Sequence, residues 1–181
     1  IMFIQTQETP NPNSLKFIIG KGVSNDGPYE FLNENQTNIP LLKNILTIRG
    51  VTGIFLSEDF LSINKSQDEK WENIKHIVIS LLNEYYEEGN EFIINKQSTL
   101  GDQKDYGEIE NKIIKILETK IRPAVARDGG DIKFKSFDNG VVKVELQGAC
   151  SGCPSSIMTL KQGVQNLLKH YVKEVNSVEA I

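Results

Sequence analysis

Residues 148–156 read Gly-Ala-Cys-Ser-Gly-Cys-Pro-Ser-Ser and hold both cysteines of the chain, Cys150 and Cys153. Alternating apolar residues precede this segment, and apolar residues at three- and four-residue steps follow it. Pro154 suits a first helical turn, because the amide hydrogen that proline lacks has no intrahelical partner there. The segment is therefore predicted to join a strand to the N-terminus of a helix.

The sequence before this loop predicts a β-hairpin. Apolar residues alternate with charged ones over residues 132–136 and 142–146, and Asp138-Asn139-Gly140 lies between the two runs. Asn-Gly is the strongest short-range signal for a two-residue hairpin turn. Upstream, Arg127–Asp131 (Arg-Asp-Gly-Gly-Asp) is predicted as a tight turn whose glycines adopt backbone angles that other residues avoid. Asp128 and Asp131 are interpreted as turn-forming and capping residues rather than as a catalytic pair.

Helices are predicted on both sides of the hairpin. Ile109, Ile113, Leu117 and Ile121 lie at helical spacing, and a second helical pattern runs from Ile157 to Tyr171. A brief last strand is expected around Val175–Val178. The C-terminal part is thus predicted as an α+β unit, helix–hairpin–helix with a C-x-x-C loop.

The N-terminal part is predicted as a second small α+β unit. Strands are expected over residues 3–7, 15–19, 51–56 and 60–63. Pro40 opens a short helical pattern that stops near Gly50, and a longer one runs from Trp71 to Tyr85 with a stop at Gly89.

Charge and periodicity both change near residue 100. Residues 1–105 hold 9 Lys+Arg and 15 Asp+Glu, a net of −6, whereas residues 106–181 hold 11 and 9, a net of +2; together these give the chain's −4. The polar residues 95–107 have no apolar period and are predicted to be a flexible linker. The domains are therefore predicted as 1–94, a partner-docking unit inferred from its acidity and separate linker, and 108–181.

Composition excludes several classes of protein. No stretch approaches the roughly 20 apolar residues of a membrane span, and no basic stripe indicates nucleic-acid binding. Two cysteines three positions apart cannot staple a secreted fold. The opening residues are too short for a signal-peptide core, so we expect a bacterial cytoplasmic protein, with the mitochondrial matrix as the alternative for a processed eukaryotic chain.

The paired cysteines predict metal or redox chemistry in a reducing compartment. At a helix N-terminus, free amides and the positive end of the helix dipole should favour thiolates, and we expect the loop to be exposed. A tetrahedral metal or an iron–sulfur cluster usually takes four protein ligands. One chain offers Cys150 and Cys153, since His170 lies about 25 Å along the following helix. Two chains offer four thiolates, so a site shared across a homodimer completes the set.

The sequence resembles a known family in both halves. Residues 128–132 (Asp-Gly-Gly-Asp-Ile), the hairpin and residues 148–156 together resemble the C-terminal domain of the NifU family. Residues 2–17, Met-Phe-Ile-Gln-Thr-Gln-Glu-Thr-Pro-Asn-Pro-Asn-Ser-Leu-Lys-Phe, resemble the N-terminal domain of Nfu-type iron–sulfur cluster carriers. The resemblance implies a non-enzymatic protein that takes clusters from upstream assembly proteins and delivers them to apo-proteins. Cys150 and Cys153 match the family's ligand positions and would bind a [4Fe-4S] cluster bridged between two subunits.

Two other functions remain open from the residues. A thiol–disulfide oxidoreductase also carries a C-x-x-C pair between a strand and a helix. Against it, two antiparallel strands precede the loop without a βαβ pattern, and the proline follows the second cysteine rather than lying between the two. The second alternative is a structural dimer bridged by zinc.

Overall fold

The computed structural model describes residues 2–96, 105–151 and 154–181, with the backbone alone for residues 154–156. Contacts between Cα atoms divide the chain into two compact units, Ile1–Thr99 and Leu100–Ile181. Most of the predicted linker, residues 97–104, lies outside the described residues. Each unit combines helices with its own antiparallel or mixed sheet, so the chain has the predicted α+β architecture.

The N-terminal unit is a five-stranded antiparallel sheet with helices against one face. The strands occur in the spatial order β1-β2-β5-β4-β3. Two α-helices and two short 3-10 helices, Glu34–Gln36 and Trp71–Asn73, complete the unit. The element bounds are β1 Gln5–Glu8, β2 Ser14–Ile18, β3 Tyr29–Phe31, α1 Pro40–Leu46, β4 Val51–Leu56, β5 Phe60–Lys65 and α2 Lys75–Glu87.

Apolar periodicity explains which face of this sheet is covered. Leu15, Phe17 and Ile19 lie on one face and are buried against the apolar stripes of α1 and α2. The predicted strands and both predicted helices are confirmed, with left-handed glycines at Gly50 and Gly89 where the helical patterns end. Strand β3 was not predicted, because three half-buried residues are too few to show a period.

The C-terminal unit packs helices against a three-stranded sheet. Helical backbone runs through α3 (Glu108–Ile116), a π-helical stretch (Leu117–Ile121) and α4 (Arg122–Arg127). The remaining elements are β6 (Gly130–Asp138), β7 (Val141–Gly148), α5 (Pro154–Tyr171) and β8 (Ser177–Ala180). The core contains Ile113, Leu117, Ile121, Val125, Ile132, Val142, Val144, Cys150, Val164, Leu168, Val172, Val175 and Val178.

The predicted hairpin is confirmed in its register and its turn. Asp138 pairs with Val141, leaving Asn139 and Gly140 as a two-residue loop between β6 and β7. Both loop residues have positive φ, 48° at Asn139 and 79° at Gly140, as a type I′ turn requires. Beyond a β-bulge between Phe134 and Ser136, which shifts the register by one residue, Gly130 lies opposite Gly148, beside the cysteine loop.

The helix before the hairpin differs from the regular helix that the spacing predicts. Its apolar stripe faces the core as expected, but the backbone widens to a π-helix over Leu117–Ile121. Pro123 lies two residues after this stretch and cannot donate an amide hydrogen to the preceding turn, which accounts for the irregular hydrogen bonding.

The last strand changes the topology that we expected around the cysteines. Strand β8 lies beside β7 and runs parallel to it, so β7, α5 and β8 form a βαβ crossover. The sequence argument that a βαβ pattern is lacking is therefore wrong. The sequence pattern predicted where the short final strand lies. Periodicity does not indicate which strand it pairs with or whether the pairing is parallel.

Candidate cysteine site

Cys150 lies two residues beyond the end of β7, in a turn fixed by backbone contacts. The Ala149 amide donates to the Gly129 carbonyl at 3.2 Å, which ties the loop to the turn before β6. The Ser151 amide and hydroxyl both donate to the Gly148 carbonyl, at 3.1 and 2.8 Å. Gly148 itself has a φ of +64°, a conformation that favours glycine. The loop is thus fixed by hydrogen bonds to the last residue of β7 and to the turn before β6.

The Cys150 side chain is buried, contrary to the exposed loop that we expected. It is 8% exposed and packs within the apolar core of the C-terminal unit. Gly130 makes room for it: a Cβ at position 130 would lie 2.7 Å from the Cys150 Sγ and 2.6 Å from the Gln147 carbonyl oxygen. Gly129, with a φ of +83°, has the predicted turn conformation, whereas Gly130 is required for close approach.

The electrostatic surroundings of Cys150 favour the thiol over the thiolate. Burial, together with the nearby carboxylates of Asp128 and Asp131, raises the pKa of Cys150 to about 12. The prediction that the helix N-terminus favours a thiolate is therefore wrong for Cys150 in this state. The sequence pattern correctly predicted that the N-terminus of α5 follows the cysteine loop. Desolvation and two nearby negative charges, however, have the larger effect on the pKa of Cys150.

Asp131 has a partner that the sequence did not indicate. The Arg122 guanidinium donates to both carboxylate oxygens, from Nε to Oδ1 at 2.8 Å and from Nη2 to Oδ2 at 3.0 Å. The Asp131 side chain is 7% exposed and that of Arg122 34% exposed. Arg122 begins α4 and Asp131 lies in β6, so the pair closes the turn between them. Only the fold brings these two elements together, and no local motif signals the contact.

The other predicted site residue cannot be placed in the same way. Cys153 lies outside the described residues, so the structure gives no distance between the two sulfurs. Helix α5 begins at Pro154, as predicted. His170 lies in the last turn of α5 with its ring centroid 4.9 Å from that of Tyr171. Within residues 2–96, 105–151 and 154–181, no three His, Cys, Asp or Glu side chains are grouped so as to hold a metal.

The N-terminal unit carries a separate surface feature. The loop between β1 and β2 is held by hydrogen bonds: Trp71 Nε1 donates to the Pro12 carbonyl at 3.1 Å, and Lys65 Nζ donates to Asn13 Oδ1 at 3.0 Å. It borders a groove of about 480 Å³ between β1 and the start of α2, whose lining includes Glu8 and Lys75. No helix in the described parts of the chain could cross a bilayer.

Comparison with known proteins assigns both units. Residues 4–89 match the family model described as "Scaffold protein Nfu/NifU N terminal", and residues 113–179 match "NifU-like domain". NifU-like protein 5, mitochondrial, from Arabidopsis thaliana is 44% identical over 98% of this chain and 67% of its own length. The chain belongs to the Nfu/NifU-like family.

Further relatives of this Nfu/NifU-like chain show similar identity. NifU-like protein 4, mitochondrial, from Arabidopsis thaliana is 43% identical over 98% of the chain, and the Drosophila erecta "NFU1 iron-sulfur cluster scaffold homolog, mitochondrial" is 43% identical over 99%. The chain spans 65% of the length of each. A solved NifU-like protein from Saccharomyces cerevisiae is 31% identical, with a TM-score of 0.48, over 54% of this chain and 87% of its own.

Proposed function

We propose that this Nfu/NifU-like chain is an iron–sulfur cluster scaffold and carrier. In this proposal two copies bind one [4Fe-4S] cluster between them through Cys150 and Cys153 of each copy, and the cluster then passes to apo-proteins. The observation that carries the proposal is the position of the chain's only two thiols, three residues apart at the junction of β7 and α5. Cysteine thiolates are the usual protein ligands of such clusters.

The number of ligands supports sharing between two copies. A [4Fe-4S] cluster is held by four cysteine thiolates, and one chain has two cysteines. Because cluster binding then requires two copies, it also favours the dimer by mass action. A cluster held half by each subunit exposes iron to attack by the thiolates of a client, so transfer proceeds by ligand exchange without catalytic turnover.

The burial of Cys150 bears on the alternatives. A disulfide oxidoreductase uses an accessible thiolate with a lowered pKa as its nucleophile. Cys150 is 8% exposed and its pKa is raised to about 12, so the cluster-free conformation disfavours the thiolate that an oxidoreductase and a cluster ligand both require. Reversible dithiol oxidation with turnover on a disulfide substrate is the measurement that separates the oxidoreductase from the scaffold. A zinc-bridged dimer would use the same four sulfurs, and metal analysis separates it from an iron–sulfur scaffold.

Partners and location follow from the relatives. The matched relatives are named as mitochondrial proteins, which supports the mitochondrial matrix over the bacterial cytoplasm that we expected from the sequence. We propose that the partners are upstream cluster-assembly proteins and apo-client proteins, with the N-terminal unit as the docking part. Removal of residues 1–95 should then reduce transfer to at least one client; unchanged transfer to every client would contradict the docking role.

Anaerobic reconstitution with iron and sulfide tests the proposal. We expect about four irons per dimer and the visible absorption of a [4Fe-4S] cluster, with the dimer measured by size-exclusion chromatography with light scattering. Cys150→Ser and Cys153→Ser should each abolish both the cluster and the cluster-dependent dimer. His170→Ala, which changes the only histidine of the C-terminal unit, is the matched control and should retain both. Zinc without iron or sulfide, or a full cluster in either serine variant, would refute the proposal.

A further inference from the structure

We propose that Arg122 is a positioning residue for Cys150. In the cluster-free chain, its ion pair with Asp131 holds the turn of residues 128–130 closed over the thiol, and cluster loading requires this turn to open. The consequence for loading rests on the function proposed above. The effect on the free thiol does not, because it concerns only how the residues around Cys150 pack.

The ion pair connects α4 to β6, two elements that also meet in the apolar core through Val125 and Ile132. Arg122 is the first residue of α4 and Asp131 the second residue of β6, with two near-parallel bonds of 2.8 and 3.0 Å between them. Bidentate pairs of this kind fix geometry as well as charge, since both groups are planar. The Asp131 carboxylate is 7% exposed, and each of its two oxygens accepts a hydrogen bond from the guanidinium.

The two residues that precede Asp131, Gly129 and Gly130, contact the cysteine loop and the end of β7. Gly130 pairs with Gly148, and the neighbouring Gly129 carbonyl accepts the Ala149 amide. The Gly130 backbone approaches the sulfur so closely that even a methyl group there would lie 2.7 Å from Sγ. The backbone of Gly129 and Gly130 is thus part of the surface that packs against Cys150, and it lies in the segment between Arg122 and Asp131.

Loss of the guanidinium should release this segment rather than unfold the unit. A nearly buried carboxylate without its partner is strongly disfavoured, and it regains hydration when its chain segment moves outward. Asp128 lies on the same turn and is exposed, so no apolar contact of its side chain resists that movement. The apolar core between β6, β7, α3 and α5 remains in place. Arg122→Gln is therefore expected to open the turn locally and to expose the thiol.

Alkylation of Cys150 in the cluster-free chain measures this opening. In a Cys153→Ser background Cys150 is the only thiol, and its reaction with iodoacetamide is followed by mass spectrometry at one fixed pH. Arg122→Gln should increase the rate by about tenfold or more, equivalent to about 1.4 kcal/mol in the opening equilibrium. Arg122→Lys, which keeps the charge but loses the planar fork, should give an intermediate rate.

The same sheet offers a matched control. Lys135 Nζ lies 2.6 Å from Glu145 Oε2, an ion pair across β6 and β7 that is more exposed than the Arg122–Asp131 pair. Lys135→Gln should leave the alkylation rate unchanged. The charge-swapped double variant, Arg122→Asp with Asp131→Arg, should return the rate toward that of the parent. An unchanged rate in Arg122→Gln, or an equal rise in Lys135→Gln, would overturn the proposal.

Cluster loading is measured separately on chains with both cysteines. Because loading requires the turn to open, Arg122→Gln should increase the rate of cluster reconstitution relative to the Lys135→Gln control. If alkylation changes as expected while the parent chain binds no cluster, the positioning role stands and the scaffold function fails. If the parent binds a cluster and neither alkylation nor loading responds to Arg122→Gln, the scaffold function stands and the positioning role fails.

Discussion

Replacement of Gly130 by alanine tests the packing around Cys150 most directly. The added Cβ would lie 2.6 Å from the Gln147 carbonyl oxygen, 2.7 Å from the Cys150 Sγ and 3.0 Å from the Cys150 amide nitrogen. The sulfur can rotate away, but the two backbone atoms belong to β7 and to the loop after it. Relief of the contact therefore requires the hairpin to separate at this end.

The magnitude follows from two opposing effects. Overpacking of a well-packed interior costs about 1–3 kcal/mol. Alanine also reduces the entropy of the unfolded chain, which returns about 0.4–1 kcal/mol. The difference is a net loss of up to about 2.6 kcal/mol with a central value of about 1.3 kcal/mol, enough to lower the Tm of a unit of this size by several degrees.

Hydrogen exchange of the β6 and β7 amides, followed by mass spectrometry, measures this loss within the C-terminal unit alone. Gly163→Ala is the matched control, because Gly163 is exposed in α5 and a Cβ there meets nothing within 4 Å. The control should gain up to about 1 kcal/mol from helix propensity. Protection in Gly130→Ala equal to or above that of the parent chain would refute the close-approach argument.

Three other expected outcomes concern the two units separately. Leu42→Ala removes a fully buried side chain and should cost about 2–5 kcal/mol in urea unfolding followed by the fluorescence of Trp71, the only tryptophan, while cluster content stays unchanged. Burial raises the pKa of the Tyr86 hydroxyl, which donates to the Gly22 carbonyl at 2.8 Å. The Tyr86 hydroxyl therefore contributes fully to stability below its unfolded pKa of about 10, and this contribution is lost as the pH rises from there toward the folded pKa. In Tyr86→Phe, the free energy of unfolding measured by Trp71 fluorescence should fall less at alkaline pH than in the parent chain. The hydrogen bond from Lys135 lowers the pKa of Glu145. The Glu145 carboxylate therefore stabilises the fold above its unfolded pKa, and this contribution is lost as the pH falls through the folded pKa. In Glu145→Gln, hydrogen-exchange protection of the β6 and β7 amides should fall less at acid pH than in the parent chain.

Much of the fold was predictable because its signals are local. Asn139-Gly140 predicted the turn, and the alternating residues on either side predicted both strands of the hairpin. Apolar stripes predicted α2 and α5, and Pro40 and Pro154 marked helix starts that the structure confirms. Each of these signals acts within one or two turns of chain, where backbone sterics and hydrogen bonding decide the outcome.

Contacts between distant segments were not predictable. Strand β8 pairs in parallel with β7, and β2 pairs with β5 across more than 40 residues. The pairing partner and the direction of a strand depend on how the helices and the other strands pack around it. The apolar periodicity of the strand's own sequence does not contain this information. The π-helical stretch before Pro123 likewise combines a missing local donor with the demands of the core.

The sequence by itself determined that two thiols lie three residues apart between a strand and a helix, and hence that one chain can supply half of a four-thiolate site. Only the tertiary structure decided that Cys150 is buried with a raised pKa, close to a turn that is flanked by the Arg122–Asp131 ion pair. The physical reason is that spacing along the chain sets which residues are neighbours in sequence. Desolvation and charge depend on neighbours in space, and at Cys150 these include the turn at Asp128 and the strands β6 and β7.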